Sequence, residues 1–338
     1  MSLPLVTHLR SRIRNEGPLS FRDFMEEALY HPEFGYYNST RDPIGRQGDF
    51  YTSSDLDPIF GKLLARRFAQ MASTLGLSPE AFTIVELGAG RGLLARQILE
   101  HHHFPYRILE RSAAMRERQR GSLQGFDVEW LESLPVGMTG CVFSNEFFDA
   151  LPVRRVICRN GALREIHVTS EFSEVEGDLQ EPLDVTLSEG QLADINTDAR
   201  RWIKRIGASL DRGYHLAIDY GYQDREFYAR PRGTLMCYWR HQAVEDPYLR
   251  IGEQDITAHV NFSDLIREGE AVGLTTEEFK TQMDFLVQLG VLKELEALMP
   301  ADTAEAIQRV MAVKKLVLPG GMGERFKVLV QRKQSEIH

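Results

Sequence analysis

ELGAGRGLLARQIL, residues 86–99, decides the fold of this 338-residue chain. Just ahead of it, Phe82-Thr83-Ile84-Val85 is short, apolar and partly β-branched, the composition of a buried strand. Behind it, Leu93, Leu94, Gln97, Ile98 and Leu99 give a helix one core-facing stripe, with Arg91 and Arg96 on the other side. Strand, glycine turn and helix make a βα crossing, where Gly88, Gly90 and Gly92 let a ligand approach the backbone and the helix start offers unpaired N–H groups. A dinucleotide fingerprint sets its glycines at relative positions 0, 2 and 5, whereas here they fall at 0, 2 and 4, with Leu93 in the slot that wants Gly or Ala. Glu86, two residues before the first glycine, brings a carboxylate to the strand's end, which suits a cationic ligand better than a diphosphate.

The next acid in register is Glu110, closing the strand-like Tyr106-Arg107-Ile108-Leu109 and lying 110 − 88 = 22 residues after Gly88. An acid at that distance is placed for ribose hydroxyls. With it, the E-x-G-x-G-x-G form is similar to the first motif of the S-adenosylmethionine-dependent methyltransferases, whose cofactor carries an ammonium and a sulfonium. The resemblance implies that Glu86, Gly88, Gly90, Gly92 and Glu110 hold the amino-acid portion and the ribose of S-adenosyl-L-methionine.

Around this centre strand and helix alternate. A helix over 60–75 precedes the first strand, and Glu110 is followed by a helix carrying Met115 and Gln119, a strand near Val128-Glu129-Trp130 and a fourth strand at 140–144. That alternation predicts an α/β fold, a parallel, doubly wound sheet with ligands at the carboxyl ends of its strands. Then Val153–Cys158 and Ala162–Thr169 alternate around Asn160-Gly161, a hairpin signal, and the acidic stretch 171–184 reads as weakly ordered. The sheet resumes with a helix over 198–210 and a strand at 214–219; a long segment to Val260, a helix from Ser263, a strand near 275–279, helices over 283–316 and an antiparallel strand Phe326–Val330 complete it. Upstream, Leu5, Leu9 and Ile13 form a helical stripe, Ser20 caps a helix through Phe21 and Leu29, and 41–54 is a loop rich in Gly and Asp. The expected partition is an N-terminal helical segment with a loop (1–75), the first half of a Rossmann-like core (76–150), an insertion of hairpin and helix after strand four (151–212), and the rest of the sheet with helical C-terminal additions (213–338).

Composition excludes several function classes. With 43% hydrophobic and 26% charged residues the chain is an ordinary globular one, and no apolar run approaches the ~18 residues of a membrane span. A net charge of −9 leaves no basic footprint for nucleic acid. Cys141, Cys158 and Cys237 form no C-x-x-C pair, so neither a disulfide framework nor a zinc site is expected, and a reducing compartment fits. Arg10, Arg12 and Arg14 lie in the predicted first helix rather than in a transit segment, and His101-His102-His103 cannot all face one ion, so no metal is expected.

Six strings occur in order: GPLSFRDFMEEALYHPEFGYY, GRQGDFYTS, ELGAGRG, NEFFDALPV, AIDYGY and GEQDITAHVNF. In that order they resemble the MidA-type methyltransferases, a bacterial and mitochondrial family whose mitochondrial member is a complex I assembly factor. The resemblance runs from about Gly17 to Val330 and is weakest over Glu171–Arg200. It implies a class I methyltransferase fold, S-adenosyl-L-methionine as cofactor and a protein arginine as acceptor, in the mitochondrial case on a core subunit of the NADH dehydrogenase complex. It also implies a cytoplasmic location in a bacterium and the mitochondrial matrix in a eukaryote. Two positions depart from the family: Thr52-Ser53-Ser54-Asp55 stands for T-S-P-E, and Ala89 for the proline of E-L-G-P-G.

On this resemblance Asn145 and Glu146, ending the fourth strand, face the methyl group, Asn145 toward the cofactor. Glu146, with Asp149 three residues on, is expected to grip the acceptor guanidinium if the intervening turn is helical; Asp149 alternatively caps a helix starting at Ala150. GRQGDFYTS is either a surface loop or a lid whose Asp49, Thr52 and Ser53 give polar contacts to the cofactor. Asp219 and Tyr220 either terminate the fifth strand or wall the acceptor pocket, and His259 is either a buried histidine or an acceptor-site residue. Residues in excess of a methyltransferase core cluster after strands four and five, which suits a protein substrate; an oligomer is compatible with the sequence. Two other functions stand beside this one, a cofactor-binding assembly scaffold without turnover and a nicotinamide-dependent oxidoreductase.

Overall fold

The computed structural model describes residues 3–39, 44–45, 48–49, 51–299 and 303–334. Of the expected loop 41–54, residues 41–43, 46, 47 and 50 lie outside the described residues. The chain forms two compact units, one of residues 1–50, 148–201 and 222–264, the other of 51–147, 202–221 and 265–338. This differs from the four consecutive segments expected above. The boundary falls after residue 50 because the helix Ile59–Thr74 buries Phe60, Leu63, Leu64 and Phe68 in the same core as the sheet strands.

The second unit holds the sheet. Its strands are β1 (Thr83–Leu87), β2 (Tyr106–Leu109), β3 (Val128–Leu131), β4 (Met138–Asn145), β5 (Leu210–Tyr222), β6 (Leu274–Thr281) and β7 (Phe326–Lys333). They lie in the order β6-β7-β5-β4-β1-β2-β3. β3, β2, β1, β4 and β5 run parallel, while β7 is antiparallel to both of its neighbours. The strand order reverses between β1 and β4, and ligands of such sheets bind outside the carboxyl ends at that switch point. Register fixes what meets there: Leu87 lies opposite Ser144, and Asn145 opposite Ile218, so the residues following β1 and β4 and the end of β5 share one edge.

Both faces of the sheet are packed, which is why β1 and β4 read as nearly continuous buried runs rather than alternating ones. Phe68 is fully buried with its ring 5.4 Å from Phe143 and 6.1 Å from Phe104. Burying one such aromatic is worth about 1.5–3 kcal/mol. The C-terminal helices Gln282–Gln288, Val291–Leu298 and Ala304–Val317 add Phe285, Leu286, Val291, Val313 and Leu316 to the same core.

The first unit is built on the N-terminal helices Leu3–Glu16 and Phe21–Tyr30, the second capped by Ser20, whose hydroxyl accepts the Asp23 N–H. The hairpin Arg154–Arg159 and Ala162–Val168 turns at Asn160 and Gly161, with φ of 52° and 75°, the left-handed pair that a two-residue turn needs. One expectation is corrected here. The stretch 171–184 contains a strand, Glu174–Gly177, paired with Ala162–Val168; its charged residues mark an exposed edge rather than disorder. The long segment before Val260 forms a three-stranded sheet of Leu235–Trp239, Gln242–Val244 and Asp255–Ala258, because Cys237, Ile256 and Ala258 are buried with Leu5, Phe24 and Val153.

Candidate active site

The turn after β1 is left-handed at Gly88, Gly90 and Gly92, with φ of 63°, 52° and 75°. Side chains would be strained at each, and at Gly88 an added Cβ would lie 2.9 Å from Phe147 Cδ2. Beneath the turn sits a buried pair of acids. Glu86 is 2% exposed and accepts the Tyr106 hydroxyl at 2.8 Å; burial pushes its carboxyl up to about 7, against the Tyr106 bond and with the help of Glu110. Glu110 is also raised, chiefly by burial, although the Ser112 N–H (2.9 Å) and Gln119 Nε2 (3.2 Å) donate to it. Gln119 Nε2 also donates to the Gly90 carbonyl at 2.9 Å, and Trp130 Nε1 holds the Gln119 oxygen, so one buried amide ties the glycine turn to the acid after β2.

A second group forms where β4 and β5 end. Glu146 has a φ of 54°, a left-handed conformation that costs a non-glycine residue roughly 1–2 kcal/mol. Its carboxylate accepts Asn145 Nδ2 at 2.9 Å, the Tyr220 hydroxyl at 3.0 Å and the backbone N–H of Ser53. Burial and then Asp219 nevertheless push it up to about 8, against those three donors. Asp219, fully buried, accepts the N–H groups of Phe147 (3.2 Å) and Tyr220 (2.9 Å), while the Glu146 N–H donates to the Ile218 carbonyl. The turn between Glu146 and Asp149 is therefore not helical, and no helix starts at Ala150, where the chain runs through a turn toward the strand at Arg154. Two of the geometric readings offered for Asp149, a shared helical turn and a helix cap, fall with that.

Short helical residues Ser53–Leu56 join the two groups. Asp55 accepts the Thr52 N–H and hydroxyl, at 3.0 and 2.9 Å, and pairs with Arg91 of the glycine turn. Thr52 thus spends its hydroxyl on capping, and Ser53 directs its own toward Gln282 and Met322. A capping box and an ion pair thus hold the turn at Thr52–Asp55, with Ser54 in the place where the resemblance leads one to expect proline.

Ser53, Glu86, Gly88, Gly90, Gly92, Glu110, Asn145, Glu146, Asp219, Tyr220 and Thr52 all lie in the sheet unit; Asp49, Asp149 and His259 lie in the other. There Asp49 accepts the Tyr36 hydroxyl and the Arg240 N–H, Asp149 is buried with its carbonyl bound to Ala258 N–H, and the His259 ring lies 5.2 Å from Tyr222. His8, Glu27 and His31 bring ligand-type atoms within 4.8 Å of one another, but Glu27 is paired with Arg12 and His31 Nδ1 accepts the N–H groups of Glu33 and Phe34, which is the chemistry of a capped turn. His101–His103 form a turn and coil.

Residues 63–280 match the profile of Methyltransf_28, the S-adenosyl-L-methionine-dependent methyltransferases. The chain belongs to this family. A crystal structure of a Burkholderia thailandensis protein bound to S-adenosyl-homocysteine is 32% identical, superposes with a TM-score of 0.90 and covers 98% of this chain and 92% of its own. The mitochondrial protein arginine methyltransferase NDUFAF7 of Mus musculus is 27% identical over 99% of this chain and 86% of its own length, and that of Homo sapiens 27% over 96% and 82%. The nicotinamide reading falls with this, and S-adenosyl-L-methionine is the cofactor of this methyltransferase.

The residues present fit that group. The turn keeps Cβ atoms off three left-handed positions, Asn145 Oδ1 is buried with no hydrogen-bond partner among the described residues, and the Glu110 carboxylate keeps acceptor capacity beyond its donors Ser112, Gln119 and Arg111. When bound, the cofactor supplies a methyl group on a sulfonium, already activated for transfer. What the protein adds is orientation and exclusion of water, worth roughly 7–11 kcal/mol in favourable cases. Sequence reasoning missed Tyr106, Gln119, Asp55 and Arg91 as parts of the site. A glutamine on the apolar face of the helix Ala113–Ser122 was the available signal for Gln119.

Proposed function

We propose that this methyltransferase transfers its methyl group to an arginine side chain of a protein, a subunit of a respiratory NADH dehydrogenase being the candidate acceptor. The observation that carries the reading is Glu146, a half-buried carboxylate at the switch-point edge, held by the Tyr220 hydroxyl. The names of the mouse and human relatives support the acceptor type. An arginine stays protonated below ~12, so its nitrogen must shed a proton as it becomes a nucleophile. In the proposed step the acceptor nitrogen bonds to the methyl carbon, the carbon–sulfur bond breaks with its pair going to sulfur, and the nitrogen's proton passes to Glu146 and then to water. Asn145 Nδ2 and the Tyr220 hydroxyl hold the carboxylate that receives it. Cofactor contacts fall to Glu86, Glu110, the glycine turn and Asn145.

The test is incubation with methyl-labelled cofactor and an extract from cells lacking the protein, then identification of the labelled band and acid hydrolysis. Label recovered as methylarginine from a protein supports the proposal; label on lysine, on nucleic acid or on free arginine at an equal rate overturns it. Glu146→Gln should keep cofactor affinity and lower transfer by ~10²-fold or more. Turnover, with S-adenosylhomocysteine released in step with the acceptor, separates an enzyme from an assembly scaffold. The mouse and human relatives are named as mitochondrial, and among the described residues no helix is long and apolar enough to cross a membrane.

A further inference from the structure

We infer that Asp219 and Tyr220 are positioning residues for Glu146, Asp219 fixing the left-handed turn of its backbone and Tyr220 the direction of its carboxylate. The inference rests on the reading that Glu146 faces the acceptor, and it replaces the expectation that these two residues wall the acceptor pocket. Four bonds carry it. The Glu146 N–H donates to Ile218 O at 2.9 Å and the Phe147 N–H to Asp219 Oδ2 at 3.2 Å, so both amides flanking the left-handed Cα are held by the end of β5. Asp219 Oδ1 takes the N–H of Tyr220 at 2.9 Å, and the Tyr220 hydroxyl reaches back to Glu146 Oε2 at 3.0 Å.

The ring has no freedom to point elsewhere: its centroid lies 4.3 Å from that of Phe326, which the β5–β7 register places directly opposite Tyr220. Phe147, turned by the same backbone, lies over Gly88 and meets the Trp202 ring edge-on at 5.3 Å. A strand that merely terminated would need none of these bonds to Glu146. The groups facing the carboxylate come from three elements: Asn145 beside it on β4, Asp219 and Tyr220 on β5, and the Ser53 N–H of the short helical residues. The two positioning residues act in opposite senses on its protonation. The Asp219 charge favours the neutral acid, whereas the Tyr220 hydroxyl favours the carboxylate.

The experiment follows Glu146 itself in the full-length protein. With carboxyl-¹³C glutamate incorporated, the Glu146 resonance is the one lost in Glu146→Gln, and its titration midpoint is read by NMR in wild type, Asp219→Asn and Tyr220→Phe. The midpoint should fall by about one pH unit in Asp219→Asn and rise in Tyr220→Phe. Equal midpoints in all three, or shifts of the same sign, overturn the inference. Should Asp219→Asn fail to fold, Tyr220→Phe decides alone, and an unmoved midpoint there is enough to overturn the inference. With acceptor in hand, Tyr220→Phe should lower kcat while leaving the KM for the cofactor within about twofold. Wild-type transfer by Glu146→Gln would remove the acceptor reading, while the midpoints would still decide whether β5 positions the carboxylate.

Discussion

Two turns at one edge of the sheet use the same left-handed backbone and reach it by opposite means. After β1 the chain places glycine at φ of 63°, 52° and 75°, and after β4 it places a glutamate at 54°. The first turn has no Cβ at its three left-handed positions, so its backbone takes that shape without strain. The second accepts strain in order to aim a carboxylate, and holds it with bonds from Asn145, Tyr220 and Ser53. Non-glycine residues in this region cluster at functional sites, where the surroundings over-determine them. On the proposed reading, the difference teaches that the cofactor side is built by omission and the transfer side by restraint.

Both sides bury acids, and pH separates them most strongly. Glu86 is pushed up to about 7 and Glu146 to about 8 by burial, both above the unfolded value of 4.5. A raised acid gives the fold stability that is fully present below the unfolded pKa and lost as pH rises through the folded one. Thermal unfolding of the cofactor-free protein should therefore show stability falling between pH 5 and 8 by on the order of a few kcal/mol. The cationic cofactor should flatten the slope near pH 7, from Glu86, and leave the part near 8, from Glu146. An equal slope with and without cofactor would break the assignment of Glu86 to the cofactor side.

Adding a side chain to the first turn is the next test. In Gly88→Val a β-branched side chain would occupy a left-handed position and meet Phe147 where a Cβ alone comes within 2.9 Å. The loss of cofactor affinity should be about 3 kcal/mol or more, by calorimetry on protein shown to be folded by circular dichroism. Glu110→Ala should cost ~1.5–3 kcal/mol of affinity, as the loss of charge-assisted hydrogen bonds. Unchanged affinity in a folded Glu110→Ala protein would take the ribose away from that residue.

Much of the sheet was legible because its signals are local. Glycine spacing, β-branched runs and the Asn160-Gly161 turn each name a conformation directly, and the last strand at Phe326–Val330 is antiparallel as expected, though its place between β5 and β6 was not read. The N-terminal unit was less so: its core joins Leu5 and Phe24 to Val153, Cys237 and Ile256, contacts across more than two hundred residues that no window of sequence contains. At the site, the place of Glu146 just after the fourth strand was readable but its conformation was not, since nothing in NEFF announces a positive φ. Gln119 and Tyr106 were hidden for a related reason. Each lies on a core-facing position and acts through a partner on another element, Gly90 and Glu110 in one case and Glu86 in the other.

The smallest effect tests the comparison most directly, by giving the second turn the device of the first. Glu146→Ala and Glu146→Gly both delete the carboxylate and leave the same donors, Asn145 Nδ2, the Tyr220 hydroxyl and the Ser53 N–H, without their acceptor. They differ in one methyl group and in what the backbone permits. At an ordinary position alanine stabilises relative to glycine, because it restricts the unfolded chain. At φ of 54° the sign should reverse, since the alanine Cβ pays the left-handed penalty and glycine does not. Glu146→Gly should therefore be the more stable of the two by about 1 kcal/mol, measured by denaturant unfolding with equal m-values. Both should transfer methyl groups equally poorly, because relieving the backbone does not restore the carboxylate. A more stable alanine variant would mean that the turn relaxes out of the left-handed region once the side chain's bonds are gone, and that those bonds, rather than the β5 backbone contacts of Glu146 and Phe147, impose the conformation.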